Sequence, residues 1–191
     1  MIPIILDGAH LPIALVGRGE VAERRLTWLL EGGAANLAVY SDRPSCALAA
    51  LAGARLRAHL PVPGEILSVR LLWIADLPLA EARPIAAAAR RAGVLVNVED
   101  VLDACDFHNP SLVRRGDLLL TVSTGGRSPG LAARIRQRLE ASFGPEWAER
   151  LDAVAAKRSA WRRRPRRLDE LARLTDATID RRGWLPGERI A

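Results

Sequence analysis

A short apolar run, Pro12-Ile13-Ala14-Leu15-Val16, leads directly into Gly17-Arg18-Gly19-Glu20-Val21-Ala22, and an amphipathic stretch follows over residues 21–30. This order of strand, Gly-x-Gly-x-x-Ala turn and helix is the phosphate-binding turn of a dinucleotide fold. Gly17 permits the tight turn, and Gly19 lets backbone amides come close to a pyrophosphate. Ala22 is small enough for the helix to lie against the strand. The helix start then faces an anion with unpaired N–H donors and the positive end of its dipole. In isolation the motif also fits any tight strand-to-helix turn. Its place between two correctly patterned elements favours the cofactor reading, which makes Gly17, Arg18, Gly19, Glu20, Val21 and Ala22 the expected pyrophosphate seat.

The remaining pattern supplies a sheet for that turn. Residues 2–6 and 13–16 read as short buried strands, and the first helix stops at Gly32-Gly33. Residues 36–40 form the second core strand, closed by Ser41-Asp42, and residues 46–52 a short helix. Residues 54–59 read as an edge strand, 69–75 as an apolar strand, 79–92 as an alanine-rich helix and 94–98 as another strand. Strands alternating with helices imply a parallel sheet covered on both faces, with ligands at the carboxyl ends of its strands. After Pro110 the rhythm changes. Two strands, 111–115 and 117–123, turn at Arg115-Gly116; a glycine-rich loop and a helix over 131–143 follow, then a basic helical tail from Glu146, with a loose end at Gly183-Trp184-Leu185-Pro186. The expected fold is α/β: a Rossmann-like parallel sheet domain (1–110), a small strand-plus-helix module (111–145) and a helical C-terminal segment (146–191).

Composition sets the class. With 191 residues, 49% of them apolar, the chain can build a substantial core. No run approaches a membrane span, and the start lacks the layout of a signal peptide. Cys46 and Cys105 are isolated, so a reduced cytoplasmic protein without a structural metal is expected. The net charge of +6 is carried almost wholly by arginine. Nucleic acid, a membrane surface, a small polyanion or simply a charged surface would each account for it. The densest run, Arg162-Arg163-Arg164-Pro165-Arg166-Arg167, lies between apolar residues at helical spacing. It is read as a solvated helix face interrupted at Pro165, with neither nucleic acid nor membrane as partner.

Three segments carry candidate chemistry. Asp42 follows the second strand, where an acidic side chain accepts ribose hydroxyls and repels a 2′-phosphate. The same residue reads equally as a cap for the next helix, and Arg43 beside it would welcome a phosphate. Asn97-Val98-Glu99-Asp100 stands at the carboxyl end of a core strand, with Asp103 and Asp106 nearby. A carboxylate there accepts a proton from substrate, or else caps a helix over 101–105. Thr124-Gly125-Gly126-Arg127-Ser128-Pro129 offers backbone donors, two hydroxyls and a guanidinium to a carboxylate, or else caps the helix that follows. His10, His59 and His108 are read as surface, turn or structural residues.

Three stretches resemble the bifunctional siroheme-synthase family, precorrin-2 dehydrogenase/sirohydrochlorin ferrochelatase. Val16-Gly17-Arg18-Gly19-Glu20-Val21-Ala22-Glu23-Arg24-Arg25 is similar to its Val-Gly-Gly-Gly-x-Val-Ala-x-Arg-Lys signature. Val96-Asn97-Val98-Glu99-Asp100 with Cys105-Asp106-Phe107-His108-Asn109-Pro110 resembles its Val-Asn-Val-x-Asp…Cys-x-Phe-x-x-Pro stretch. Val122-Ser123-Thr124-Gly125-Gly126-Arg127-Ser128-Pro129, with Leu131-Ala132 and Arg134-Ile135-Arg136, resembles its Ser-x-Gly-Gly-x-Ser-Pro-x-Leu-Ala-x-x-Leu-Arg segment. Two departures stand out: Arg18 replaces the middle glycine, and Asp76-Leu77-Pro78-Leu79 stands where the family reads Ala-Thr-Asp-Asp.

The resemblance implies NAD-dependent oxidation of precorrin-2 to sirohydrochlorin, with Fe²⁺ as the substrate of a chelatase step in some members. It implies Asp100 as the catalytic aspartate and Ser41 and Asp42 beside the cofactor ribose. Thr124, Gly125, Gly126, Arg127 and Ser128 would lie at the tetrapyrrole, and the 111–145 module would build an intertwined homodimer. A polyanionic substrate would account for the arginine excess. The chain stops before any methyltransferase domain, as in stand-alone members. The altered loop at Asp76 motivates an alternative, a non-catalytic NAD- or tetrapyrrole-binding protein that has lost activity.

Overall fold

The computed structural model describes residues 2–163, 165 and 167–185. The chain divides into two compact units, residues 1–109 and 110–191. In the first, the parallel strands β1 (Ile13–Gly17), β2 (Leu37–Tyr40), β3 (Leu56–Arg57), β4 (Leu71–Ala75) and β5 (Leu95–Val98) form one sheet in the order β3-β2-β1-β4-β5. Their connections run through α1 (Glu20–Glu31), α2 (Cys46–Ala52), the short α3 (Pro63–Ile66) and α4 (Leu79–Arg91). This is a Rossmann-like fold. The strand order reverses between β1 and β4, which opens a crevice at their carboxyl ends.

Strand periodicity divides the core into two layers. Ile13, Leu15, Val39, Leu71 and Trp73 face α1 and α2, packing with Ala22, Leu26, Leu29, Leu48 and Ala52. Ala14, Val16, Leu72, Ile74 and Val96 face α4, meeting Ala82, Ala86 and Ala89. β1 and β4 are buried along their whole length, which is why they read as unbroken apolar runs. The alanine stripe of α4 lets that helix approach closely. Leu15, Leu26, Leu48 and Leu72 are fully buried, and truncating one such side chain costs about 2–5 kcal/mol.

In the second unit, β6 (Ser111–Arg115) pairs antiparallel with β7 (Leu118–Val122), and the turn uses Gly116 at positive φ. Helices α5 (Pro129–Ser142), α6 (Trp147–Trp161) and α7 (Leu168–Arg182) follow, with α5 against the strand pair and α6 against α7. Among the described residues no helix is long and apolar enough to cross a membrane.

Several sequence expectations need correction. Residues 2–6 form no strand; Ile2, Ile4 and Ile5 are exposed and no sheet edge pairs with them. An apolar run becomes a strand only where a neighbour accepts its hydrogen bonds. The expected edge strand over 54–59 shrinks to β3, because a 3₁₀ turn at Gly53–Arg55 takes up its first half. The described arginines of the basic run, Arg162, Arg163 and Arg167, do not sit on a helix face. α6 ends at Trp161 and Arg167 caps α7, so the described arginines belong to the connection; Arg164, Arg166 and Pro186 lie outside the described residues.

Candidate active site

The turn after β1 is tight by construction. A Cβ on Gly17 would collide with the Ala75 carbonyl oxygen and stand 2.7 Å from the Ala22 Cβ, so only glycine keeps β1, α1 and β4 this close. Gly19 occupies the N-cap of α1 in extended backbone and supplies no side-chain cap. Asp76 fills that role. It leaves β4 with φ 54°, and its Oδ2 accepts the Val21 amide at 2.6 Å and the Ala22 amide at 3.4 Å. A Cβ on Gly19 would approach the same oxygen to 2.8 Å. The turn thus receives an anion, and the anion is the protein's own carboxylate. Amide donors at the start of a helix suit a phosphate in polarity, and here Asp76 occupies two of them.

Arg18 spans the crevice. Its Nε and Nη2 donate to Asp42 Oδ1 and Oδ2 at 2.7 and 2.8 Å, and its Nη1 and Nη2 donate to Glu81 Oε1 and Oε2 at 3.1 and 2.6 Å. These fork-to-fork bonds hold both carboxyls below the usual carboxylate range and push the guanidinium up, Glu81 contributing most and Asp42 next. Arg43 approaches the same Asp42 at 3.6 Å. Asp42 does not cap α2, since Ser45 accepts the Leu48 amide there. Ser41 is fully buried, and among the described residues its hydroxyl has no hydrogen-bond partner. Glu20 is exposed at the first position of α1.

At the end of β5 the Glu99 amide donates to the Ile74 carbonyl, and Asp100 then turns out with φ 63°. Glu99 is clamped from α1, with Arg25 Nη2 2.7 Å from its Oε1 and Arg25 Nε 3.1 Å from its Oε2. Arg25 also covers the Trp28 ring at 5.0 Å. A cleft of about 360 Å³ lies between Val21, Arg24, Arg25 and Trp28 of α1 and the pair Glu99 and Asp100. Val21 therefore belongs both to the anion-receiving turn and to the cleft that exposes Asp100.

Residues 101–105 form only a 3₁₀ turn that Asp100 does not cap. Asp103 pairs with exposed Arg83, while Asp106 accepts the Val96 amide at 2.9 Å and pairs with Arg90, which makes Asp106 structural. The Cys105 thiol donates to the Val98 and Val101 carbonyls, and burial pushes its pKa up. Asn97 donates to the Phe107 carbonyl at 2.8 Å, and Phe107 sets its ring edge-on to Trp73 at 4.9 Å. These ties hold the segment against the β5 edge and fix where Asp100 emerges.

In the second unit, Gly125 and Gly126 adopt positive φ, and Thr124 Oγ1 accepts the Ser128 amide at 3.2 Å. Ser128 caps α5 by accepting the Leu131 amide, and Arg127 stands exposed beside it. The loop is a helix-capping turn that leaves one guanidinium in solvent. Sequence reasoning flagged Asp76 only as part of an altered loop, and it did not place Glu81, Arg25 and Trp28 in the site.

A family model described as putative NAD(P)-binding matches residues 4–111, and one described as sirohaem biosynthesis protein central matches residues 115–142. The chain belongs to the siroheme synthase N-terminal family. Within that family, the siroheme synthase of Methylococcus capsulatus is 40% identical over 141 residues, covering 73% of this chain and 30% of that protein. The siroheme synthase of Chromobacterium violaceum is 35% identical over 176 residues, covering 83% and 37%. The chain thus spans about a third of the length of these relatives. The solved structure of SirC, precorrin-2 dehydrogenase, superposes with TM-score 0.74 at 21% identity over 97% of this chain and 93% of that one, so the fold is shared.

Proposed function

We propose that this protein is an NAD-dependent dehydrogenase that converts precorrin-2 to sirohydrochlorin in siroheme biosynthesis. The observation that carries this reading is Val21, which joins the anion-receiving turn to the cleft where Asp100 is exposed. NAD, when bound, supplies the hydride acceptor. The Gly17–Ala22 turn would seat its pyrophosphate, and Ser41 and Asp42 would hold its ribose. Asp100, a carboxylate open to solvent, takes the proton that leaves the macrocycle with the hydride and passes it to water, so the substrate loses one hydride and one proton. On the loop of Thr124, Gly125, Gly126, Arg127 and Ser128, the exposed Arg127 guanidinium holds substrate carboxylates.

The same reading makes residues 1–110 the cofactor domain, 111–145 a dimerisation module and 146–191 a helical segment of a cytoplasmic homodimer. A two-stranded pair such as β6–β7 is marginal alone, and Leu131 and Ile135 on α5 are left exposed, which supports a second copy covering them. Ferrochelation of sirohydrochlorin, with Fe²⁺ as substrate, is a second step of this proposal. Among the described residues no group of three or more metal-ligating side chains forms a resident site.

Purified protein given precorrin-2 and NAD should produce sirohydrochlorin and NADH by absorbance, and Asp100→Asn should slow turnover by about 100-fold or more while NAD still binds. Equal turnover in the variant would remove Asp100 from the mechanism. Asp76 on the turn favours one second reading, a tetrapyrrole-binding protein without activity; tetrapyrrole binding with no NADH formed would establish it. Adding Fe²⁺ or Co²⁺ to the same assay tests chelation.

A further inference from the structure

The acid that normally meets the adenosine ribose is not free in this protein. Both oxygens of Asp42 accept from Arg18, at 2.7 and 2.8 Å, and the Arg43 guanidinium stands 3.6 Å away. Arg18 is held there from its other edge by Glu81, and its side chain is only 13% exposed. A bare carboxylate after β2 selects against a 2′-phosphate by repulsion, whereas a nearby arginine accommodates one. Here the four groups together sum to zero formal charge, and the two cations lie on the side chain that would do the repelling.

We infer that Arg18 is the cofactor-specificity residue of this chain: it masks Asp42, so that the adenosine end of the site admits a 2′-phosphorylated dinucleotide as well as NAD. This rests on the dinucleotide-binding reading given above. The site has two ways to accommodate a ligand. For a 2′-hydroxyl, Asp42 accepts with the oxygen lone pairs that the guanidinium leaves open. For a 2′-phosphate, Arg18 stays on Asp42 and keeps it neutralised, while the exposed Arg43 guanidinium beside it takes the phosphate oxygens. Glu81 is a positioning residue that keeps Arg18 over the crevice in both cases. Specificity is a difference of two affinities, and removing the mask restores the repulsive element of that difference.

The test is titration calorimetry of the full chain with NAD⁺ and with NADP⁺, for the wild type, Arg18→Gly and Arg18→Gln. The wild type should bind the two dinucleotides with dissociation constants within about fivefold of each other, and both variants should shift the ratio toward NAD⁺ by about tenfold or more. Arg18→Gln keeps the side-chain length and serves if the glycine variant folds poorly by circular dichroism. Wild-type binding of NAD⁺ with a strong preference that neither variant changes would overturn the assignment of Arg18 and leave the dinucleotide reading standing. Binding of neither dinucleotide to the wild type would remove both.

Discussion

Asp76 Oδ2 lies 2.6 Å from the Val21 amide nitrogen, so a carboxylate from the end of β4 caps the helix whose N-terminus is built to receive a phosphate. A dinucleotide and Asp76 compete for the same amides. Asp76→Gly should therefore tighten NAD binding, by roughly five- to thirtyfold if the cap contributes about 1–2 kcal/mol. Glycine is chosen because it adopts φ 54° without strain. Calorimetric titration gives the answer, and weaker binding in the variant would mean that Asp76 contacts the cofactor favourably.

The Arg25–Glu99 pair ties α1 to the backbone that carries Asp100. Their side chains are 13% and 22% exposed, so the pair is partly withdrawn from solvent screening. A double-mutant cycle on Arg25→Met and Glu99→Gln, read by urea unfolding, should give a coupling of about 1 kcal/mol. Strict additivity would show that the two groups are independent. In the dehydrogenase assay Glu99→Gln should lower kcat more than it raises the KM for NAD, because it loosens the position of Asp100 and leaves the anion-receiving turn intact.

Acid should release Arg18. Asp42 and Glu81 have carboxyls held below their ordinary values by that guanidinium. A depressed carboxylate contributes stability that is fully present above its unfolded pKa and disappears as pH falls through its folded one. The urea midpoint of wild type should exceed that of Arg18→Gln at neutral pH. The gap should close as pH falls from about 4 downward, the ordinary carboxylate range and below. A gap that persists at the acid end would mean that Arg18 stabilises by packing alone.

Gly17→Ala and Gly64→Ala form a matched pair. The first puts a Cβ against the Ala75 backbone and Ala22, while the second meets nothing within 4 Å. Gly17→Ala should cost about 1–3 kcal/mol of stability and lose dinucleotide binding, because backbone between β1 and β4 cannot yield cheaply. Gly64→Ala should be close to neutral in thermal unfolding. Similar melting temperatures for both variants would refute the close approach at Gly17.

Much of the fold was legible because its cues are local. The buried strands β1 and β4 read as continuous apolar runs, the helices as 3.6-residue stripes, and Gly17-Arg18-Gly19 as the turn between them. Residues 2–6 show where locality fails: composition marks a segment as able to form a strand, and only a free sheet edge makes it one. The cap on α2 shows a finer limit. Asp42 read as a cap for the next helix, yet α2 begins at Cys46 and is capped by Ser45, while Asp42 pairs with Arg18.

Order along the chain determined the alternation of strands and helices and the positions of the turn, Asp42 and Asp100, because each depends on neighbours a few residues apart. The strand order β3-β2-β1-β4-β5 decided the rest. It brings Asp76 to α1 across 55 residues, Glu81 to Arg18 across 63, and Glu99 to Arg25 across 74. No periodicity or propensity encodes such meetings; they arise when parallel strands align their carboxyl ends and charged groups of opposite sign find themselves within bonding distance.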